Sequence, residues 1–149
     1  MCSTAFPGEG GAAHAASIPN ITDYSMRFLP TRIHGVLDWL LAPLLIALPW
    51  LLGFAEGGAE TWIPVLLGIT GLIVTFFTDH EFGVVRRIPM IGHLWVDGLG
   101  GLLLAASPWL FGFSEHVWMP HLVLGLAEFG AALVTKTIPA DAHRSVRKA

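Results

Sequence analysis

The residues in this sequence that are best suited to chemistry are two histidine–aspartate pairs with the same spacing. His34 and Asp38 are four positions apart, and so are His93 and Asp97. Side chains four positions apart lie on one face of an α-helix, so each pair can act together. Two imidazoles and two carboxylates can ligate a divalent metal ion, and two histidines can ligate a haem iron. The same groups can also pass protons or ions, or join helices by hydrogen bonds.

Glu128 is a fifth candidate because it is an acid inside a long apolar segment. An acidic side chain within a membrane span is a functional-site hypothesis by default. The alternative is a protonated carboxyl group bonded to His93 or to a backbone carbonyl. The simplest interpretation is structural: a set of His–Asp hydrogen bonds holds helix to helix, with no cofactor. The candidate metal ligands that this leaves open are His34, Asp38, His93, Asp97 and Glu128.

Four apolar segments must position these residues. The chain of 149 residues is 54% hydrophobic and only 13% charged, whereas a soluble domain carries about a quarter charged residues. The segments cover residues 33–54, 62–77, 91–113 and 117–135. Each is close to the ~20 residues that a helix needs to cross the hydrocarbon core, and each lacks the polar face of a soluble helix. The sequence predicts an all-α polytopic membrane protein whose first partner is the lipid bilayer.

A long stretch of the first half of the chain recurs in the second half. Residues 34–56 match residues 93–115 without a gap, and about half of the paired positions are identical, which indicates a duplicated structural unit. Each unit contains two crossings and enters the membrane from the same side. We therefore predict four transmembrane helices arranged as two parallel helical-hairpin repeats. The predicted divisions are a disordered cytoplasmic tail (1–25), a first repeat (26–87), a second repeat (88–137) and a basic cytoplasmic tail (138–149).

A proline–tryptophan motif marks the end of the first helix in each unit. Proline removes a backbone donor, so the helix should kink or end there. Tryptophan favours the membrane interface, and glycine allows a tight return to the next helix. We interpret the motif as a structural corner. Its residues are Pro49, Trp50, Gly53 and Phe54 in the first unit and Ser107, Pro108, Trp109, Gly112 and Phe113 in the second.

These motifs resemble the SPW-repeat family of small prokaryotic integral membrane proteins, which is named after the Ser-Pro-Trp tripeptide. The tripeptide is intact at residues 107–109 and altered to Leu-Pro-Trp at residues 48–50. The repeated His-x-x-x-Asp, followed by Pro-Trp-x-x-Gly-Phe, extends the resemblance over roughly residues 27–137. The resemblance implies a membrane hairpin repeat and implies no particular activity.

The distribution of charge predicts the orientation in the membrane. All eight Lys and Arg residues lie outside the two short connections within the hairpins, where the charged residues are acids. Cytoplasmic flanks collect Lys and Arg, so we expect both termini and the central connection on the cytoplasmic side of a bacterial inner membrane. The Arg86-Arg87 pair is too short for a nucleic-acid patch, so no nucleic-acid partner is expected.

No motif in the sequence indicates an enzyme, since it contains no phosphate loop, nucleophile elbow or CxxC pair. Cys2 is the only cysteine, which excludes an internal disulfide. The histidines outside the two pairs, such as His80 and His121, show no partner pattern, and His80 is expected to be solvated. Glycines in the apolar segments are typical of closely packed membrane helices. We expect a non-enzymatic membrane protein that packs with itself or with a larger membrane complex; a metal- or haem-binding protein and a small transporter are the alternatives.

Overall fold

The computed structural model describes residues 26–139, and these residues form four α-helices. The helices are α1 (Thr31–Leu51), α2 (Ala59–Phe77), α3 (Met90–Leu110) and α4 (Met119–Val134). Within the described range the only extended pairings are two isolated bridges, so the predicted all-α fold is confirmed. The predicted disordered tail at residues 1–25 and most of the predicted basic tail lie outside the described residues.

The helices have the length and the surface of membrane spans. α1, α2 and α3 contain 21, 19 and 21 residues and are apolar enough to cross a membrane. α4 is apolar but has 16 residues, which is about 24 Å at the helical rise of ~1.5 Å per residue. Large apolar side chains cover the outside of the bundle; Leu40 and Trp95, for example, are each 66% exposed. A soluble helix carries polar residues at such positions, so the chain is a polytopic membrane protein.

Each hairpin is held together by a glycine that lets two helices touch backbone to backbone. α1 packs against α2, α3 packs against α4, and α2 also contacts α3. A Cβ atom on Gly68 of α2 would lie 2.6 Å from the carbonyl oxygen of Ala42 in α1. A Cβ atom on Gly125 of α4 would lie 2.5 Å from the carbonyl oxygen of Gly101 in α3. Small residues permit this close approach between membrane helices.

The proline–tryptophan motifs form the turns between the helices of each hairpin. Each turn passes through a glycine with positive φ, 73° at Gly53 and 74° at Gly112, a conformation that a side chain disfavours. In the first turn the N–H of Phe54 donates to the carbonyl oxygen of Pro49 at 2.9 Å, and the second turn contains the corresponding bond at the same length. The phenylalanine is buried, while Trp50 is 58% exposed. We call this end of the bundle the corner end.

At the opposite end, the chain segments before and after the helices pair with one another. Leu29, before α1, forms a bridge with Thr135 after α4, and Ile88, before α3, forms a bridge with Thr78 after α2. Arg27 Nη1 also donates to the carbonyl oxygen of Thr135 at 2.8 Å. We call this the basic end. These pairings place both threonines beside the first turns of α1 and α3, where the two histidines lie.

Candidate functional site

The two histidine–aspartate pairs meet at one point between α1 and α3. One ligand atom from each of His34, Asp38, His93 and Asp97 lies within 4.8 Å of the other three. His34 Nε2 is 3.0 Å from Asp97 Oδ2, and His93 Nε2 is 3.0 Å from Asp38 Oδ2. His93 Nε2 is also 2.8 Å from Asp97 Oδ2, while His34 Nε2 is 3.5 Å from Asp38 Oδ1. We call these four residues the His–Asp cluster.

The pairing within the cluster runs between the hairpins. The hydrogen bond of His34 goes to Asp97 on the other helix. His93 contacts Asp38 on the other helix as well as Asp97 on its own helix. Two side chains one turn apart on a helix both point towards the neighbouring helix, so each imidazole reaches a carboxylate of the partner hairpin.

Two threonines behind the histidines determine which ring nitrogen carries a proton. Thr135 Oγ1 is 3.0 Å from His34 Nδ1, and Thr78 Oγ1 is 2.9 Å from His93 Nδ1. Each threonine hydroxyl donates its own proton to the backbone carbonyl four residues earlier, at 2.6 Å. A hydroxyl has one proton to give, so it can only accept from the histidine, and Nδ1 must be the protonated nitrogen. This assignment follows from the hydrogen-bond network.

The fixed Nδ1–H bonds have a direct consequence for the opposite side of each ring. Nε2 of His34 and Nε2 of His93 both face carboxylate oxygens at 2.8–3.0 Å. A bare imidazole lone pair and a carboxylate lone pair repel at that distance. Each Nε2–carboxylate contact therefore needs a positively charged occupant, either a proton or a metal cation. The cluster is a site for cations by its own hydrogen-bond chemistry.

A small cavity adjoins the aspartates and contains two polar groups that the cluster does not use. It is lined by both aspartates of the cluster and by Gly71, Thr75 and Glu128. Thr75 is fully buried, and its Oγ1 has no hydrogen-bond partner among the described residues. The Glu128 carboxyl group lines the same space, and among the described residues it forms no hydrogen bond to His93. The structure thus brings the fifth candidate residue next to the cluster but outside its hydrogen bonds.

His80 closes the cluster from the connection between α2 and α3. The expectation that this histidine is solvated is wrong, because its side chain is fully buried. Its ring lies 6.0 Å from the ring of His93, and a Cβ atom on Gly35 of α1 would lie 2.8 Å from it. The backbone N–H of Phe82 donates to His80 Nδ1 at 3.1 Å. Burial, followed by the charge of His93, lowers the pKa of His80.

His121 has a separate role at the corner end. It is fully buried, and its ring lies 5.4 Å from that of Phe54 and 5.0 Å from that of Phe113. Its Nε2 is 3.1 Å from the carbonyl oxygen of Glu60. In a helix that carbonyl would accept from the residue four positions later, which is Pro64 and has no N–H. His121 supplies the missing donor and ties α4 to α2.

The dimensions of the cluster do not suit a haem. The rings of His34 and His93 are 5.4 Å apart and lie edge to face. The space between the two Nε2 atoms is already filled by the carboxylates, since Asp97 Oδ2 contacts both nitrogens. A porphyrin held by two axial histidines needs an open plane between them, which this arrangement lacks. A single ion or two protons fit the available space.

Comparison with known proteins identifies the family of the chain. No curated protein and no solved structure matches the chain. Residues 32–135, which include the whole His–Asp cluster and both corners, match the family model described as the SPW repeat domain. The chain therefore belongs to the SPW-repeat family.

Proposed function

We propose that this SPW-repeat protein is a non-enzymatic integral membrane subunit, in which the His–Asp cluster locks two duplicated hairpins into one body. The observation that carries this proposal is the crossed pairing of the cluster. His34 of the first hairpin bonds to Asp97 of the second, and His93 of the second bonds to Asp38 of the first. Such bonds contribute about 1 kcal/mol each in a membrane, and removing one partner of a buried charged pair costs about 3–5 kcal/mol because the other is left unpaired.

The locked bundle would present a fixed apolar surface to lipid and to other membrane proteins, including further copies of itself. Gly130 on α4 supports this part of the proposal, because an added Cβ atom there would meet nothing within 4 Å. Ala127, one turn earlier on α4, is exposed. Small residues on an open helix face allow close packing by a neighbouring helix.

We further propose a multi-pass location in a bacterial inner membrane with both termini cytoplasmic. Arg27, Arg86, Arg87 and Lys136 are in the segments at the basic end, whereas Glu56, Glu60 and Glu115 are in those at the corner end. This separation is the one that positive-inside insertion requires. In a background without Cys2, a cysteine at position 56 should react with an impermeant reagent from the periplasmic side, and a cysteine at position 84 should not. The reverse labelling would overturn the orientation.

The proposal that the His–Asp cluster joins the two hairpins is tested by comparing the free energy of unfolding of cluster variants in mixed micelles. His34→Gln keeps a hydrogen-bond donor and should cost less than about 1 kcal/mol. Asp97→Leu should cost about 3 kcal/mol or more, because it removes the hydrogen-bond acceptor of His34 and the shorter of the two carboxylate contacts of His93. Asp38→Leu should cost less than Asp97→Leu, since the Asp38 side chain is 14% exposed and that of Asp97 only 5%.

An exposed ion pair provides the matched control. Glu56 Oε1 lies 3.4 Å from His116 Nε2 at the corner end, with both side chains largely exposed. Glu56→Gln should change the free energy of unfolding by less than about 1 kcal/mol. Equal effects of Asp97→Leu and Glu56→Gln on the free energy of unfolding would contradict the proposal that the cluster joins the two hairpins.

The proposed packing with other membrane proteins is tested by energy transfer between labelled copies in vesicles. A chain that stays monomeric and purifies with no stoichiometric partner would contradict this packing.

A further inference from the structure

We propose that the His–Asp cluster binds one divalent transition-metal ion, of which Zn²⁺ is the best match. The ligands are Nε2 of His34 and His93 and one carboxylate oxygen each from Asp38 and Asp97. A tetrahedral Zn²⁺ with bonds of about 2.0–2.1 Å separates its ligand atoms by about 3.3 Å. Asp97 Oδ2 lies 2.8 Å from His93 Nε2 and 3.0 Å from His34 Nε2, and Asp38 offers Oδ2 to His93 at 3.0 Å and Oδ1 to His34 at 3.5 Å. One ligand atom from each of the four residues lies within 4.8 Å of the others, so the cluster has the dimensions of a site for a single ion.

The hydrogen bonds on the far side of each ring are those that a metal-binding histidine needs. A ligating histidine usually donates its other ring N–H to an acceptor, which fixes the tautomer and the ring orientation. Thr135 and Thr78 are these acceptors for His34 and His93, at 3.0 and 2.9 Å. Each threonine hydroxyl already donates its proton to a backbone carbonyl, so Nδ1 of each histidine carries a proton. The nitrogen that faces the cluster is therefore Nε2, either with a free lone pair or as an N–H.

The charge balance of the site favours a divalent ion. Two neutral imidazoles and two carboxylates together carry two negative charges. A divalent ion held by these four side chains balances both, so the occupied buried site would carry no uncompensated charge.

A second observation, independent of the hydrogen bonds within the cluster, points to a bound molecule in the cavity beside the two aspartates. Thr75 Oγ1 is fully buried without a hydrogen-bond partner among the described residues, and it lines the cavity beside Asp38, Asp97 and Glu128. Buried polar atoms are seldom left unpaired. A water molecule in this cavity, hydrogen-bonded to a carboxylate of the cluster, would give Thr75 its partner. Glu128 would then lie beside that water as a neighbouring acid.

The ligand types select among divalent ions. Ca²⁺ and Mg²⁺ prefer six or more oxygen ligands, many of them water, and two imidazoles do not suit them. Nitrogen and carboxylate ligands in a compact, non-planar arrangement suit Zn²⁺, whereas Cu²⁺ prefers a square-planar set. The cluster has no thiolate, which excludes the soft-metal class of sites. Co²⁺ takes the same tetrahedral sites and reports its geometry through visible absorption.

The test uses the full-length protein purified in mild detergent, stripped with chelator and dialysed against Zn²⁺ or Co²⁺. We expect one Zn²⁺ per chain and the visible spectrum of tetrahedral Co²⁺. His93→Gln should lose both, whereas His116→Gln, which alters an exposed histidine at the corner end, should retain both.

A second set of variants keeps the proposal testable if His93→Gln does not fold. Thr78→Val keeps all four ligands but removes the acceptor of His93 Nδ1–H, so it should weaken Zn²⁺ binding about 10–100-fold. Thr78→Ser should restore it. A wild-type chain that binds less than one Zn²⁺, or binds as much as His93→Gln, would overturn the proposal and leave a proton-filled cluster. Equal Zn²⁺ affinity in Thr78→Val and the wild type would also overturn it.

Discussion

Replacing Gly125 by alanine should separate α3 from α4. The added Cβ atom would lie 2.4 Å from the backbone nitrogen of Ala105 and 2.5 Å from the carbonyl oxygen of Gly101, whereas ordinary contact begins at 3.4 Å. Both obstacles are backbone atoms, which cannot rotate aside as a side chain can. The helices must therefore move apart by about 1 Å, and overpacking of this kind costs about 1–3 kcal/mol.

Gly130→Ala is the matched control, because it makes the same chemical change on the same helix. An added Cβ atom at Gly130 meets nothing within 4 Å. Alanine also favours the helix over glycine by about 1 kcal/mol, and this gain is common to both variants. The difference between them therefore isolates the contact with α3. Unfolding in mixed micelles, followed by tryptophan fluorescence, should show Gly125→Ala less stable than Gly130→Ala by about 1–3 kcal/mol. Equal stabilities would refute the backbone contact.

Three further changes test other parts of the structure. Burial lowers the pKa of His80 from 6.5, so the unfolded chain takes up a proton before the folded chain does as the pH falls below 6.5, and the free energy of unfolding, measured in chelator, should decrease. His80→Gln should remove the part of this decrease that is due to His80. The same pH dependence of stability in His80→Gln and the wild type would contradict the burial of His80. His121→Leu leaves the Glu60 carbonyl without a donor beside Pro64 and should lower the free energy of unfolding by about 1–3 kcal/mol, whereas His121→Gln, which keeps a donor, should lower it less. Glu128→Gln should leave the free energy of unfolding unchanged or raise it, because the carboxyl group gains no hydrogen bond from burial; a marked loss of stability would show a partner for this acid.

The sequence alone was sufficient for the fold class and the family. Four apolar segments without a polar face can be accommodated only as membrane helices, and the repeated Pro-Trp-x-x-Gly-Phe motif led to the SPW-repeat family, which the match over residues 32–135 confirms. The positions of His34, Asp38, His93 and Asp97 on helix faces also followed from their spacing. These features are local, so a one-dimensional pattern is enough to predict them.

The partners of the histidines were decided by the tertiary structure. Spacing within a helix could suggest that His34 meets Asp38, but only the arrangement of the whole bundle brings Asp97 of α3 closer to His34. Thr78 gives no signal in the sequence beyond its place at the end of α2, yet the bridge to Ile88 sets it behind His93.

The same reason explains the buried histidines outside the two His–Asp pairs. His80 lies between two acids in the sequence, a pattern typical of solvated loops, but the fold turns its ring onto Gly35 and His93. His121 is bound because Pro64, on another helix, leaves a carbonyl without a donor. Periodicity determines which face of a helix a residue occupies, whereas contacts between residues far apart in the chain depend on how whole helices pack, and that information is absent from any single segment.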